Sequence, residues 1–254
     1  MQVNIFWRIY FCVKERFLKK EDDKMQNDNL NMTYQDMYNQ AVVKIQEGRV
    51  QIDHRIDDSR DNRFGVTLLV RPSLEVRQRI SDFLSRIKVI EPEQYYYPPS
   101  DMHITVLSIV SCFEGFGLDQ INVEVIKQMV ASCLRNIPSF DIHFQGITAS
   151  PSCILVQGYP KQETLELIRH RLRTGFSQSK IRLSIDQRYR LTTAHATVIR
   201  FKNPLRDGEE FLKMMEHYKN FDFGHSHIQE MELVFNDWYQ REDRCQRLEL
   251  YTLS

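Results

Sequence analysis

Two short stretches of this 254-residue chain set an imidazole two residues before a hydroxyl: His103-Ile104-Thr105-Val106 and His195-Ala196-Thr197-Val198. About ninety residues separate them, and each opens an apolar run, DMHITVLSIV and TAHATVIRF. Side chains alternate across a strand with period two. Each His therefore shares a face with its Thr, and Ile104, Val106 and Ser108 are expected on the opposite face. Imidazole has an unperturbed pKa near 6.5, so of two convergent histidines one can accept a proton while the other donates one. A Thr hydroxyl beside each can donate to a non-bridging phosphate oxygen. Base, acid and two hydroxyl donors suit cleavage of a P–O bond without a metal. A single His-x-Thr carries little information, because Thr is a common strand residue. The rival reading of the pair is a structural echo of duplication, with the polar groups satisfied inside a sheet.

The elements that must position these residues repeat in order. RFGVTLLV (63–70) reads as a strand stopped by Pro72, and SLEVRQRISDFLSRI (73–87) as a helix with Val76, Ile80, Phe83, Leu84 and Ile87 on one face. The first His-x-Thr strand follows. Residues 121–137 give a second apolar stripe, and FDIHFQGI (140–147) a strand. The order then starts again: a strand at 152–159 stopped by Pro160, a helix at 161–172 with Leu165, Ile168 and Leu172 aligned, and the second His-x-Thr strand. A helix at 207–218 has Asp207 as N-cap and Glu210 at the capping-box position. A strand at 227–235 and its hairpin partner at 247–253 close the chain. Such a repeat of element order is an internal duplication with the two histidines at equivalent places. The expected fold class is α+β: two lobes, roughly 63–150 and 151–254, antiparallel-rich sheets with helices outside, and a central cleft receiving both His/Thr pairs.

Upstream, Thr33 and Asp36 resemble a capping box, and Tyr34, Tyr38, Ala41 and Ile45 follow at helical spacing, so a helix is expected over 33–48. Residues 49–62 read as a surface loop. Residues 1–32 are expected to be a disordered tail. Their apolar start, VNIFWRIYFCV, is broken by Arg8 and is far shorter than a bilayer span.

Composition narrows the class. Hydrophobic residues make up 42% of the chain, enough to bury a core. Lys+Arg and Asp+Glu both number 34, and a neutral chain is a poor candidate for wrapping long nucleic acid. Five scattered cysteines without CxxC spacing signal neither a disulfide framework nor a zinc site. The expectation is a cytoplasmic monomer without membrane contact, metal or cofactor.

At its two motifs the chain also resembles the two-histidine (2H) phosphoesterases, the LigT-like or 2′-5′ RNA ligase family, which carry two H-x-[ST]-h motifs with h hydrophobic. PPSDMHIT resembles that family's Pro-rich approach to its first motif, and MELVF…RLELYTL its closing hairpin. The resemblance covers about residues 63–254; residues 1–62 have no counterpart. It implies a bilobal α+β fold and metal-free chemistry on cyclic or 2′-5′ phosphodiesters of nucleotides or RNA ends. It also implies that His103 and His195 are the acid/base pair and that Thr105 and Thr197 hold the phosphate. A non-catalytic RNA- or nucleotide-binding module, or a cyclic phosphodiesterase of another small molecule, would use the same cleft.

Further candidates are less specific. Tyr97, last of Tyr95, Tyr96 and Tyr97, could stack on a base or belong to a packed loop under Pro98 and Pro99. Arg188 and Arg190 lead into the second motif and either meet phosphate or end a solvated strand. His225 and His227 share a strand face as a metal pair would, but no third ligand stands near them in sequence.

Overall fold

The computed structural model describes residues 27–178, 184–186 and 190–254. Among these lie nine strands and five helices. Helix α1 covers residues 27–46. Strand β1 (Arg63–Val70), helix α2 (Leu74–Ile90), the two-residue strand β2 (Tyr95–Tyr96), strand β3 (Ile104–Glu114), helix α3 (Val123–Leu134) and strand β4 (Phe140–Ser150) follow. Strand β5 (Cys153–Pro160), helix α4 (Thr164–Ser177), strand β6 (Ala196–Arg200), helix α5 (Gly208–Tyr218) and strands β7 (Asp222–Ile228), β8 (Glu230–Asp237) and β9 (Gln246–Thr252) complete it.

The strands form two antiparallel sheets, one of order β3-β1-β8-β9 and one of order β2-β6-β5-β4-β7. The expected α+β class with two antiparallel-rich sheets and outer helices is what the structure has. The sheets do not divide at residue 150, however. Strand β4 belongs with the later strands, and the β8–β9 hairpin crosses back to pair with β1. The strand expected at 227–235 is two strands, β7 and β8, because DFGHSHI pairs with β4 while EMELVFND pairs with β1.

Helices exchange lobes as well. Helix α2 leaves β1 yet packs on β7, where Phe83 meets Phe223 edge to face at 5.6 Å. Helix α4 leaves β5 yet packs on β3 and beside α3. The stripe Val76, Ile80, Phe83, Leu84 and Ile87 is buried as its spacing predicts, and Asp207 caps α5 by accepting from the backbone N–H groups of Glu209 and Glu210. The core is continuous, from Val66 and Leu68 on β1 through Ile142 and Phe144 on β4 to Phe211 and Met215 on α5.

Two expectations about the N-terminus change. Helix α1 already includes residues 27–32, so Thr33 is no cap; its Oγ1 donates to the Asn29 carbonyl one turn back at 3.0 Å. The amphipathic face simply extends upstream, where Leu30 is buried. The rest of the expected tail, residues 1–26, lies outside the described residues. Among the described residues no helix is long and apolar enough to cross a membrane.

Strand β5 runs close beside the lead-in to β6. A Cβ on Gly158 would fall 2.0 Å from the Ala194 carbonyl oxygen. Gly158→Ala should therefore push β6 away and cost about 1–3 kcal/mol, the range of overpacked sites. Chemical denaturation measures it; an unchanged midpoint would mean that the two backbones are not held this close.

Candidate active site

Both motifs begin one residue before a strand, His103 ahead of β3 and His195 ahead of β6. His103, Thr105, His195 and Thr197 are each partly exposed, while Ile104, Val106, Ala196 and Val198 are buried. The period-two reading thus holds through Val106 and then fails. Against β1, Leu68 pairs with Leu107 and Leu69 with Thr105, so Val106 is a bulged residue. Against β5, Ile154 pairs with Ile199 and Leu155 with Thr197, so Val198 is the bulge of the second motif. An extra residue shifts the alternation by one. Ser108, expected with Ile104 and Val106, is instead partly exposed and in step with Thr105. The corresponding residue of the second motif is Arg200, brought into step with His195 and Thr197.

The imidazoles are held from behind. The Nδ1 of His103 lies 2.7 Å from the Asp101 carbonyl oxygen, which can only accept, so Nδ1 carries a proton and Nε2 is left for the cleft. Asp101 is buried and anchored in turn, its carboxylate accepting from Ser100 Oγ at 2.8 Å and from the Glu242 backbone N–H at 3.1 Å. The Nδ1 of His195 meets Thr193 Oγ1 at 2.7 Å, and a hydroxyl can serve either protonation state of the ring. Among the described residues neither Thr105 Oγ1 nor Thr197 Oγ1 has a hydrogen-bond partner, so both hydroxyls remain available to a ligand.

One buried side chain joins the motifs. Arg169 on α4 is 1% exposed. Its Nε donates to the Val106 carbonyl at 3.0 Å, and its Nη2 donates to the carbonyls of Thr105 at 3.0 Å and Thr193 at 2.7 Å. Burial pulls its guanidinium down to about 10, still cationic at neutral pH. Arg200 stands on the other side, with Nε donating to the Tyr97 hydroxyl at 2.9 Å and a longer approach to Asp53 at 3.9 Å. Arg71 is held by Glu232 at 3.1 Å and by the Ser100 carbonyl.

Desolvation lowers both imidazoles, each to about 4. The Asp101 carbonyl counteracts this at His103, while Arg71 and Arg200 add to it. At His195, Arg169, His103 and Arg200 all push the same way, so the two rings feel each other across the cleft. The unperturbed value near 6.5 expected from sequence therefore does not describe the free cleft: both rings are neutral at pH 7, beside three guanidiniums.

The remaining candidates divide. Tyr97 is buried, with its hydroxyl on Arg200 and its ring edge-on to Tyr95 at 5.2 Å, so it offers no open face to a base. Arg190 is exposed where the chain enters the second motif; Arg188 lies outside the described residues. His225 stacks on His143 at 4.1 Å, and His227 meets Asp141 at 2.8 Å. Among the described residues no group of three or more His, Cys, Asp or Glu could hold a metal ion.

Comparison with solved structures places this architecture. TT0787 of Thermus thermophilus superposes with a TM-score of 0.55 at 14% identity, over 74% of this chain and 97% of that one. A protein described as a phosphoesterase gives 0.51 at 11% identity, over 75% and 98%. The apo form of E. coli LigT gives 0.50 at 16% identity, over 75% and 97%. The chain has the 2H phosphoesterase fold. No family model and no curated protein sequence matches it. The neighbours are covered almost whole, so about a quarter of this chain is additional to the shared 2H fold.

Sequence reading missed Arg169, Arg200, Thr193 and Arg71. Two of these left a signal. Arg169 interrupts the stripe Leu165, Ile168, Leu172 at a position where a core helix should be apolar, and Thr193 continues the Thr197, His195 face by period two. Arg200 was hidden by the bulge.

Arg169→Met leaves three carbonyls without their donor and should cost about 3 kcal/mol or more in unfolding free energy; a change within about 0.5 kcal/mol, the ordinary surface range, would show that the carbonyls find other donors. An anion between the rings favours their charged forms, so binding should take up protons. Sulfate keeps its charge over roughly pH 5–8, and its affinity should tighten as pH falls across that range, by up to about tenfold per unit for each proton taken up. Calorimetric titration at several pH values checks this, and a pH-independent affinity would mean that sulfate does not sit between the imidazoles.

Proposed function

We propose that this protein is a metal-free phosphodiesterase acting on a cyclic or 2′-5′ phosphodiester of a nucleotide or RNA end. The observation that carries the reading is two imidazoles that influence each other electrostatically, each held at Nδ1 with Nε2 left over and each two residues from a Thr hydroxyl without a partner among the described residues, with Arg71, Arg169 and Arg200 acting on one or both rings. The shared fold supports it but assigns no activity by itself. Thr105 and Thr197 hold the non-bridging oxygens, and Arg200 and the buried Arg169 supply positive charge where negative charge develops on phosphate.

The environments divide the proton work. His195 is faced by Arg169, Arg200 and a second imidazole, with no carbonyl on its ring to offset them, which suits it to the base's role. His103 has its Nδ1–H held by a carbonyl, which favours the imidazolium. In hydrolysis of a cyclic phosphate, His195 takes a proton from water as the hydroxide oxygen bonds to phosphorus. The P–O bond to one ribose oxygen breaks, and His103 passes its proton to that oxygen. The phosphodiester anion raises the pKa of both rings, so the required proton enters with the substrate. Tyr97 works behind Arg200 as a positioning residue.

His103→Ala and His195→Ala should each lower turnover of 2′,3′-cyclic nucleotides or 2′-5′ dinucleotides about 10²–10⁴-fold. The double variant should be little worse than the worse single one, because the two rings act as a unit. Because the free rings are neutral at pH 7, kcat/KM should decline as pH rises from about 6 to 8, and activity should survive EDTA. Retained turnover in either single variant, or loss with EDTA reversed by added divalent metal, would overturn the assignment. Nucleotide binding without turnover by the unaltered protein would leave a binding module.

A further inference from the structure

The N-terminal helix reaches the second motif. Tyr34 on α1 is 1% exposed, and its hydroxyl donates to the Gly158 carbonyl at 3.1 Å while accepting from the backbone N–H groups of Gly158 at 3.3 Å and Ala194 at 3.1 Å. A phenol has one proton and two lone pairs, so this hydroxyl is fully used. The β5–β6 ladder ends at Val156 opposite Ala196. One step further on, where the strands would pair Gly158 with Ala194, the hydroxyl of Tyr34 stands between the two backbones in place of a direct bond. Ala194 immediately precedes His195, and Thr193 before it holds the His195 ring and lends its carbonyl to Arg169.

The phenol is itself fixed. Thr148 Oγ1 donates to the Tyr34 carbonyl at 2.8 Å, and the ring sits edge-on to Tyr159 at 5.7 Å. Burial pushes its pKa well above the ordinary tyrosine value, so the hydroxyl keeps its proton at neutral pH.

We infer that Tyr34 is a positioning residue for His195: its hydroxyl sets the backbone at Ala194, from which the imidazole is aimed, and helix α1 is thereby tied to the second motif. The inference rests on the two-histidine reading for its kinetic consequence, but its structural consequence can be measured without substrate.

Tyr34→Phe keeps the ring and removes all three bonds. Tyr38→Phe is the control on the same helix, because its hydroxyl donates to Glu216 at 3.0 Å and touches neither motif. Tyr34→Phe should lower kcat about 10–100-fold, as expected for a displaced reacting group, with KM little changed, while Tyr38→Phe keeps kcat. Equal losses in both variants, or none in Tyr34→Phe, would overturn the inference. The second measurement is an NMR titration of the imidazole resonances. The charges facing His195 (Arg169, Arg200 and His103) are unchanged in Tyr34→Phe. Admission of water should raise the His195 midpoint toward its ordinary value and move His103 less, because His103 feels the change only through its coupling to His195. An unmoved His195, or equal movement of both rings, rejects positioning whatever the activity. A protein that hydrolyses none of these substrates yet shows the selective shift loses the phosphodiesterase reading and keeps this one. Should Tyr34→Phe fail to fold, amide exchange of the unaltered protein decides: Ala194 should be as protected as the β5–β6 ladder, and exchange at the rate of an exposed loop sinks the inference.

Discussion

A single guanidinium holds the two motifs in register. Arg169 donates to carbonyls of Thr105 and Val106 on one side and of Thr193 on the other, so the strand ends that carry the two histidines are tied through one rigid plane. Burying a cation without a bonded carboxylate is costly, and the geometry offsets that cost by turning the donors toward three main-chain oxygens. The same charge lowers the pKa of His195 and adds positive potential beneath the site. One residue thus ties the two motifs together and sets the charge beneath them, and it reaches the first motif only because α4 leaves one sheet to pack against the edge of the other.

The repeat is more detailed than the His-x-Thr spelling. Both Val106 and Val198 are bulged, and the bulge places a third residue of each strand in step with its His and Thr. Here the halves diverge, with Ser108 in the first and Arg200 in the second. The two strands are thus alike in their bulge and differ at this third position, a hydroxyl in one and a guanidinium in the other.

Around this inner layer, parts of the chain far apart in sequence hold the machinery in place. The turn after β8 binds the Asp101 carboxylate and thereby steadies the carbonyl under His103. Asp53, in the segment before β1, reaches both Arg200 and the hydroxyl of Tyr239. Helix α1 enters between β5 and β6 through the Tyr34 hydroxyl. Partial burial and the neighbouring guanidiniums both lower the two imidazoles, a state that an arriving anion would reverse.

Much of this was legible in the sequence. Periodicity placed β1, the buried face of α2, the Asp207 cap and the closing hairpin, because each depends on residues close together in the chain. The duplication and the two His/Thr pairs followed from spacing alone. Which strands share a sheet did not, since pairing β1 with β8 or α4 with β3 is a long-range choice among faces that are all apolar. The bulges were equally hidden: Val106 and Val198 read as ordinary strand residues, and only their partners on β1 and β5 show that one residue is extra. The charge state of the histidines was decided last. Sequence supplies two imidazoles of ordinary pKa, and only the folded chain, by removing water and bringing Arg71, Arg169 and Arg200 around them, makes both neutral at pH 7.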